Sequence, residues 1–229
     1  RRVLFRSMKT LRPGWHHLAV VASGTGAAAE TRYYIDGKSP DVQADVRGCA
    51  IRRKPSMRVA GIGNGGPGGW QSAGKLAEVR IWGVALSPEE VLANSQTTLT
   101  GNEPGLLAYF PMNDRSGARV LDRARRGHGA SLTSDALWWP CAAPIGNPGN
   151  AVLSFDGVDD HVEIPAALNP NFSGGLTFEA WVRYDGFEHY SRVLEFAGGP
   201  NKGNIYFSNL DRTGTLVLGV INTSSRSEI

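Results

Sequence analysis

Apolar residues recur along the chain in short runs, most of them alternating with polar ones, and glycine, asparagine, aspartate or proline interrupts the runs about every ten residues. That spacing is the pattern of a sandwich or barrel of short antiparallel strands. Strands are predicted over 15–22, 31–35, 57–62, 74–82, 106–112, 151–155, 161–164, 176–184, 192–196, 204–209 and 215–222. In the longest, Leu176, Phe178, Ala180 and Val182 share one face and predict a side turned to a core. Thr177, Glu179, Trp181 and Arg183 share the other, which reads as a face that is solvated or binds something. Asp36-Gly37 suits a hairpin turn that needs positive φ. One short helix is predicted near 88–95. Ser87 is its N-cap, Pro88 its first position and Glu90 its third, with Leu86 and Val91 placed as a hydrophobic staple.

Composition adds the reason for so many turns. Glycine supplies 29 of 229 residues, well above the usual share of about 7% and without the three-residue period of collagen. An apolar content of 41% is enough to bury a core. The formal charge is +3, but Arg1, Arg2 and Arg6 stand in residues 1–7, a string that reads as adapter-derived rather than native. Without them the basic and acidic residues are equal in number, at 21 each. A neutral chain argues against nucleic acid as a partner. No run approaches the roughly 18 apolar residues of a membrane span, so no membrane insertion is expected. Cys49 and Cys141 are compatible with one disulfide in an oxidising compartment or with two buried thiols. The glycine-rich run 63–69 lacks the Lys-Ser/Thr that follows a phosphate-binding loop and reads as a surface loop.

Several motifs carry a family resemblance: Trp15-His16-His17-Leu18-Ala19-Val20, Tyr34-Ile35-Asp36-Gly37, the 76–82 run ending Val79-Arg80-Ile81-Trp82, Leu86-Ser87-Pro88-Glu89-Glu90-Val91, Phe155-Asp156-Gly157 and Phe178-Glu179-Ala180-Trp181-Val182. Together they resemble the laminin G-like jelly-roll modules of the concanavalin A-like lectin and glucanase superfamily. The resemblance implies an all-β, antiparallel jelly-roll sandwich. It also implies a shifted order, because in such a module the Phe-Asp-Gly and Glu-Ala-Trp-Val strands precede the Trp-His-His strand. The chain therefore reads as a window on a tandem array, with 8–144 the back part of one repeat and 145–229 the front part of the next, the two docking as one permuted sandwich. A secreted or cell-surface multidomain parent with further laminin G-like repeats follows from the same resemblance.

Retaining glycosidases need two carboxylates about 5–5.5 Å apart. No Glu-x-Asp-x-Glu run is present, so a non-catalytic module binding a glycan or an extracellular protein is the expected function. The alternatives are an accessory carbohydrate-binding part of a carbohydrate-active enzyme and a structural spacer in an adhesive array. Asp156, Asp159 and Asp160 around Gly157 are hard oxygen ligands suited to calcium. The resemblance adds Glu78 and Asp114 as candidate partners of a structural calcium, although Ala77 stands where an aspartate is usual. The competing reading is that these acids cap turns. Among the aromatics, Trp70, Trp181, Tyr184 and Tyr190 are the candidates for stacking on a sugar ring, because they belong to or border polar loops. Trp15 and Trp82 read as core. His16 and His17 point to opposite strand faces and cannot share a metal. The basic clusters Arg47, Arg52, Arg53, Lys54, Arg58 and Arg123, Arg125, Arg126 read either as solvated turns or as contacts to an anionic glycan.

Overall fold

The alternation in 176–184 places that strand at the centre of the structure, a computed structural model that describes residues 2–23, 30–38, 59–62, 73–125, 127–133, 137–141, 143–145, 151–165, 174–197 and 204–221. In chain order the strands of the first half are β1 (Arg2–Thr10), β2 (Gly14–Ser23), β3 (Glu30–Ile35), β4 (Val59–Ile62), β5 (Ala73–Trp82), β6 (Leu106–Phe110), β7 (Arg119–Val120), β8 (Ala130–Thr133) and β9 (Leu137–Trp139). Those of the second half are β10 (Val152–Asp156), β11 (His161–Ile164), β12 (Leu176–Tyr184), β13 (Arg192–Ala197), β14 (Asn204–Asn209) and β15 (Thr215–Ile221). One helix, α1 (Pro88–Asn94), follows β5.

All paired strands run antiparallel. One sheet has eight strands in the order β1-β15-β14-β13-β4-β11-β8-β7. The other has seven, in the order β3-β2-β12-β5-β10-β9, with β6 also pairing β5. Strands from before and after residue 145 are interleaved: β12 lies between β2 and β5, and β4 lies between β11 and β13. The two sheets therefore share a single core, an antiparallel β-sandwich. The backbone of residues 2–6 lies in β1, paired with β15.

The core follows from the alternation. Leu176, Phe178, Ala180, Val182 and Tyr184 of β12 pack inward with Leu18, Val20, Leu76, Ile81 and Phe110, against Leu194, Phe196, Phe207 and Leu218 of the opposite sheet. Phe178 meets Phe207 edge to face at 5.8 Å. Tyr33 ties the layers together, its hydroxyl oxygen accepting from the Leu218 N–H at 2.7 Å. At the Asp36-Gly37 turn both residues adopt positive φ, 54° and 71°. Ile35 and Lys38 exchange backbone hydrogen bonds of 3.0 Å across it, as the sequence predicts.

Two features of the sheets escape a period-two reading. β5 changes phase at Glu78, where φ is 53° and two residues, Glu78 and Val79, oppose Ala180 alone. This bulge lets Leu76, Val79 and Ile81 all reach the core although they do not share one parity. The second feature is the outer face of the seven-stranded sheet, the side turned away from the eight-stranded one. Thr177, Glu179 and Trp181 are buried there, whereas their polar alternation reads as a face that is solvated or binds something. α1 and its flanks cover one end of that face with Trp82, Leu86 and Val91 against Ala19, Val21 and Tyr34. Cys141, Ala143 and Ile145 lie over the middle, against Ala77, Val152 and Trp181. Cys49 and the whole of the first basic cluster lie outside the described residues, as does Arg126.

α1 forms where the capping residues place it. Ser87 Oγ accepts from the Glu90 N–H at 3.2 Å, and the Glu90 carboxylate accepts from the Ser87 N–H at 2.7 Å, so two otherwise orphaned donors are satisfied reciprocally. Val91 is the buried anchor of the helix.

Candidate functional site

The uncovered end of the outer face is a row of side chains set by strand register. Leu137 pairs with Ser154, Ser154 with Lys75, Lys75 with Arg183, and Arg183 with Trp15, so these residues of β9, β10, β5, β12 and β2 all project from one side. Paired residues share a face, and four strand spacings of about 4.8 Å give the row a length of about 19 Å. Leu137 is 60% exposed and Trp139, two residues along the same strand face, 48%. The Lys75 ammonium stands 5.5 Å from the centre of the Trp139 ring, a cation–π contact. Asp185 accepts from Arg183 Nε at 2.8 Å and from Lys75 Nζ at 3.2 Å. These bonds hold the Asp185 carboxyl below its ordinary value, against the opposing effect of partial burial. Trp15 is half-buried on this face instead of lying between the sheets. A flat exposed ring, an apolar neighbour and several hydrogen-bonding groups on rigid strands are the parts of a surface for a polar, ring-shaped ligand.

The acidic turn adjoins this row. Asp156 pairs with Ala73 at the end of β10, so its side chain emerges from the same face as Ser154 two residues before it. The carboxylates of Asp156, Asp159 and Asp160 bring one oxygen each within 4.8 Å of one another. Calcium binds oxygen at about 2.3–2.6 Å, so a single ion can reach all three. Within the turn the Val158 N–H donates to Asp156 Oδ1 at 2.7 Å and the Asp156 N–H to Asp160 Oδ2 at 2.9 Å. The donor set suits a hard cation.

Glu78 and Asp114, the other two candidate calcium ligands, are placed elsewhere. Glu78 is buried at the β5 bulge, where it accepts from Arg80 at 3.0 Å and from the Tyr109 hydroxyl at 2.7 Å. Asp114 accepts from the Leu121 N–H at 2.9 Å and from Arg123 at 3.3 Å. Among the described residues neither joins the cluster of Asp156, Asp159 and Asp160. Glu78 belongs instead to a network beneath α1. Arg80, fully buried, donates to the carbonyls of Asn94 and Thr97 and lies 4.0 Å from Glu179, which in turn accepts from Trp82 Nε1 at 3.0 Å and Asn94 Nδ2 at 3.1 Å. The network fastens the end of α1 to the sheet. No substrate can reach its two carboxylates.

Burial in this network makes folding stability depend on pH. It pushes the Glu179 carboxyl up to about 7, despite Arg80 and the donors from Trp82 and Asn94. Burial pushes His17 down to about 3, with the Arg80 charge acting in the same direction. The unfolded chain ionises Glu179 near 4.5, so stability is lost as pH rises from there to about 7. The unfolded chain protonates His17 near 6.5, so stability is also lost as pH falls from there to about 3. Between these two unfolded-state values the two effects oppose and cancel, so stability is expected to be level there, falling by about 2 kcal/mol on the acid side and by less than about 1 kcal/mol on the alkaline side. Urea unfolding across the pH range checks this, and Glu179→Gln should flatten the alkaline arm. An unchanged alkaline arm in that variant would assign the effect to another group.

The aromatic candidates are dispersed. Tyr184 is a core residue, 1% exposed and tilted against Phe187 at 5.0 Å, because the alternation that turns Val182 inward turns Tyr184 inward too. It presents no face to a ligand. Trp181 is on the outer face but largely covered, edge-on to His17 at 5.7 Å. Tyr190 is half-exposed in the 185–191 loop, where Asn209 braces the carbonyls of Glu188 and Asp211, and the Tyr190 N–H donates to Asp211 O. Trp70 lies outside the described residues. Trp139, the most exposed ring on the sheet, was missed as a site residue because the Leu-Trp-Trp strand is too short to show a period.

Residues 5–92 match the Laminin_G_3 family, of the concanavalin A-like lectin/glucanases superfamily. The laminin G-like segment spans β2 to β5 and most of α1, and so includes Trp15 and Lys75 of the outer-face row. The fold is one that carries ligand-binding modules, in a superfamily that also includes glycosidases. No curated protein and no solved structure matches the chain. Among the described residues, no helix is long and apolar enough to cross a membrane.

Proposed function

We propose that this laminin G-like chain is a non-catalytic module of a secreted or cell-surface protein that binds a glycan on the outer face of its seven-stranded sheet. The observation that carries this reading is the exposed Trp139 ring beside Lys75, aligned by register with Ser154, Arg183 and Trp15. A sugar ring offers an apolar C–H face to the indole and hydroxyls to the flanking polar groups, and β-strands hold both sets rigidly. A non-catalytic role is supported by the enclosure of Glu78 and Glu179, the two carboxylates that flank Arg80, beneath α1. Calcium held by Asp156, Asp159 and Asp160 would brace the turn that borders the row.

Titration calorimetry with a panel of oligosaccharides tests the proposal. Trp139→Ala is expected to weaken binding of the sugar that binds by tenfold or more, on the scale of a central aromatic anchor, with an unchanged melting temperature. Calcium is expected to raise the melting temperature of the wild type and not that of Asp159→Asn. Binding that survives loss of Trp139 would move the site elsewhere. A chain that ignores every sugar would instead favour the structural spacer.

A further inference from the structure

His16 stands between two groups that only accept hydrogen bonds. Its Nδ1 lies 3.0 Å from Asp36 Oδ2, and its Nε2 lies 3.1 Å from the carbonyl oxygen of Arg12. Against the effect of partial burial, the bonds from His16 and from the His17 N–H hold the Asp36 carboxyl below its ordinary value, so it is ionised and has no proton to give. A neutral imidazole carries one N–H, serves one of the two acceptors and turns a lone pair toward the other. The imidazolium carries two and serves both.

The fold holds both acceptors in place. Asp36 Oδ1 accepts from the His17 N–H at 3.0 Å, and the Asp36 N–H donates to His17 O at 2.8 Å, so the carboxylate is fixed to the backbone of β2. Gly37, next in the turn, approaches α1 so closely that a Cβ there would stand 2.7 Å from Leu92 Cδ1 and from Ser95 Oγ. The Arg12 carbonyl belongs to residues 11–13, which cross from β1 in the eight-stranded sheet to β2 in the seven-stranded one. At the first end of this crossing the Leu11 N–H donates to Gly214 O, in the β14–β15 hairpin, at 2.8 Å. Arg12 and Pro13 are exposed, so packing does little to hold the second end.

We propose that His16 is a proton-operated clasp: protonated, it fastens the β1–β2 crossing to the turn after β3, and neutral, it releases the Arg12 carbonyl. The carboxylate is the stronger acceptor, so the neutral ring keeps its proton on Nδ1 and opposes its Nε2 lone pair to the Arg12 oxygen. The bond to Asp36 is also the largest influence on the His16 proton, holding it above the ordinary histidine value of 6.5 against burial, which acts the other way. The clasp is closed below that raised value and opens as pH rises through it. Asp36 supplies the charge that faces the ring. Lys38 of the same turn and the Arg12 side chain are exposed, His17 points to the other side of β2, and β12 places Val182 opposite. The clasp is independent of the glycan reading of the outer face.

Ring and backbone NMR of the full chain between about pH 5 and 9 tests it. The His16 ring is expected to titrate with a midpoint above 6.5, both nitrogens protonated on the acid side and Nδ1 alone on the alkaline side. The Arg12 carbonyl signal should shift over the same interval. Exchange of the Leu11 amide, corrected for its intrinsic rate, should quicken about fivefold there, the scale of one ordinary hydrogen bond. Asp36→Asn should lower the midpoint and keep the turn, because asparagine tolerates positive φ as aspartate does. His16→Gln should remove the pH response of Arg12 and Leu11. A wild-type midpoint at or below 6.5 would overturn the clasp, as would a His16 titration that leaves the Arg12 and Leu11 signals unmoved.

Discussion

Arg80→Ala is expected to lower folding stability by about 3 to 5 kcal/mol, the usual cost of removing one member of a buried ion pair. Arg80 is fully buried, and its guanidinium faces Glu78 at 3.0 Å while donating to the carbonyls of Asn94 and Thr97. Its loss leaves the Glu78 carboxylate buried with the Tyr109 hydroxyl but without its cation, and frees the end of α1 from the sheet. Denaturant unfolding measures the first effect, and amide exchange in 94–99 the second. The paired variant Arg80→Met/Glu78→Gln separates charge from packing, because removing both partners spares the isolated charge. Recovery of about half the loss is expected. A single variant that loses under about 1 kcal/mol would show the network to be dispensable and the helix to be held by Val91 and Leu86 alone.

Phe178→Ala is expected to cost a comparable 3 to 5 kcal/mol, through lost burial and the cavity left behind. The ring stands at the middle of β12, the strand between β2 and β5, and touches Phe207 across the two layers. A small apolar gap already exists there among Val20, Leu176, Leu194, Phe207 and Leu218, so truncation enlarges an existing packing defect. Phe178→Leu should recover more than half of the loss. A change below about 1 kcal/mol for the alanine variant would mean that the inward face of β12 is wrongly placed.

The strands with clear alternation, 161–164, 176–184 and 204–209 among them, were legible to within a residue because period two is a local property of the chain. The helix was legible for a similar reason: the Ser87-Pro88-Glu90 cap acts within four residues. β1, β7, β8 and β9 were not found, since two to four residues without alternation carry no period, and β1 lies where the sequence reads as non-native. The candidate site divides in the same way. The Asp156, Asp159 and Asp160 cluster was visible because a tight glycine turn brings near neighbours together. The outer-face row was not, because Trp139 and Lys75 are 64 positions apart and Lys75 and Arg183 farther still, and only register aligns them.

By itself the sequence determined the class of fold, the inward face of β12, the Asp36-Gly37 turn, the cap of α1 and the laminin G-like motifs. Each of these depends on interactions between residues a few positions apart, or on a pattern repeated along one strand. Only the tertiary structure decided which side of β12 stays in contact with water. Burial of a sheet's second face depends on what packs over it, and here α1 and the residues Cys141, Ala143 and Ile145, distant in sequence, cover Glu179 and Trp181 and leave Arg183 and Trp139 at the surface. The bulge at Glu78 is of the same kind, a phase change that the pairing of β5 with β12 imposes so that apolar residues of both parities can enter one core.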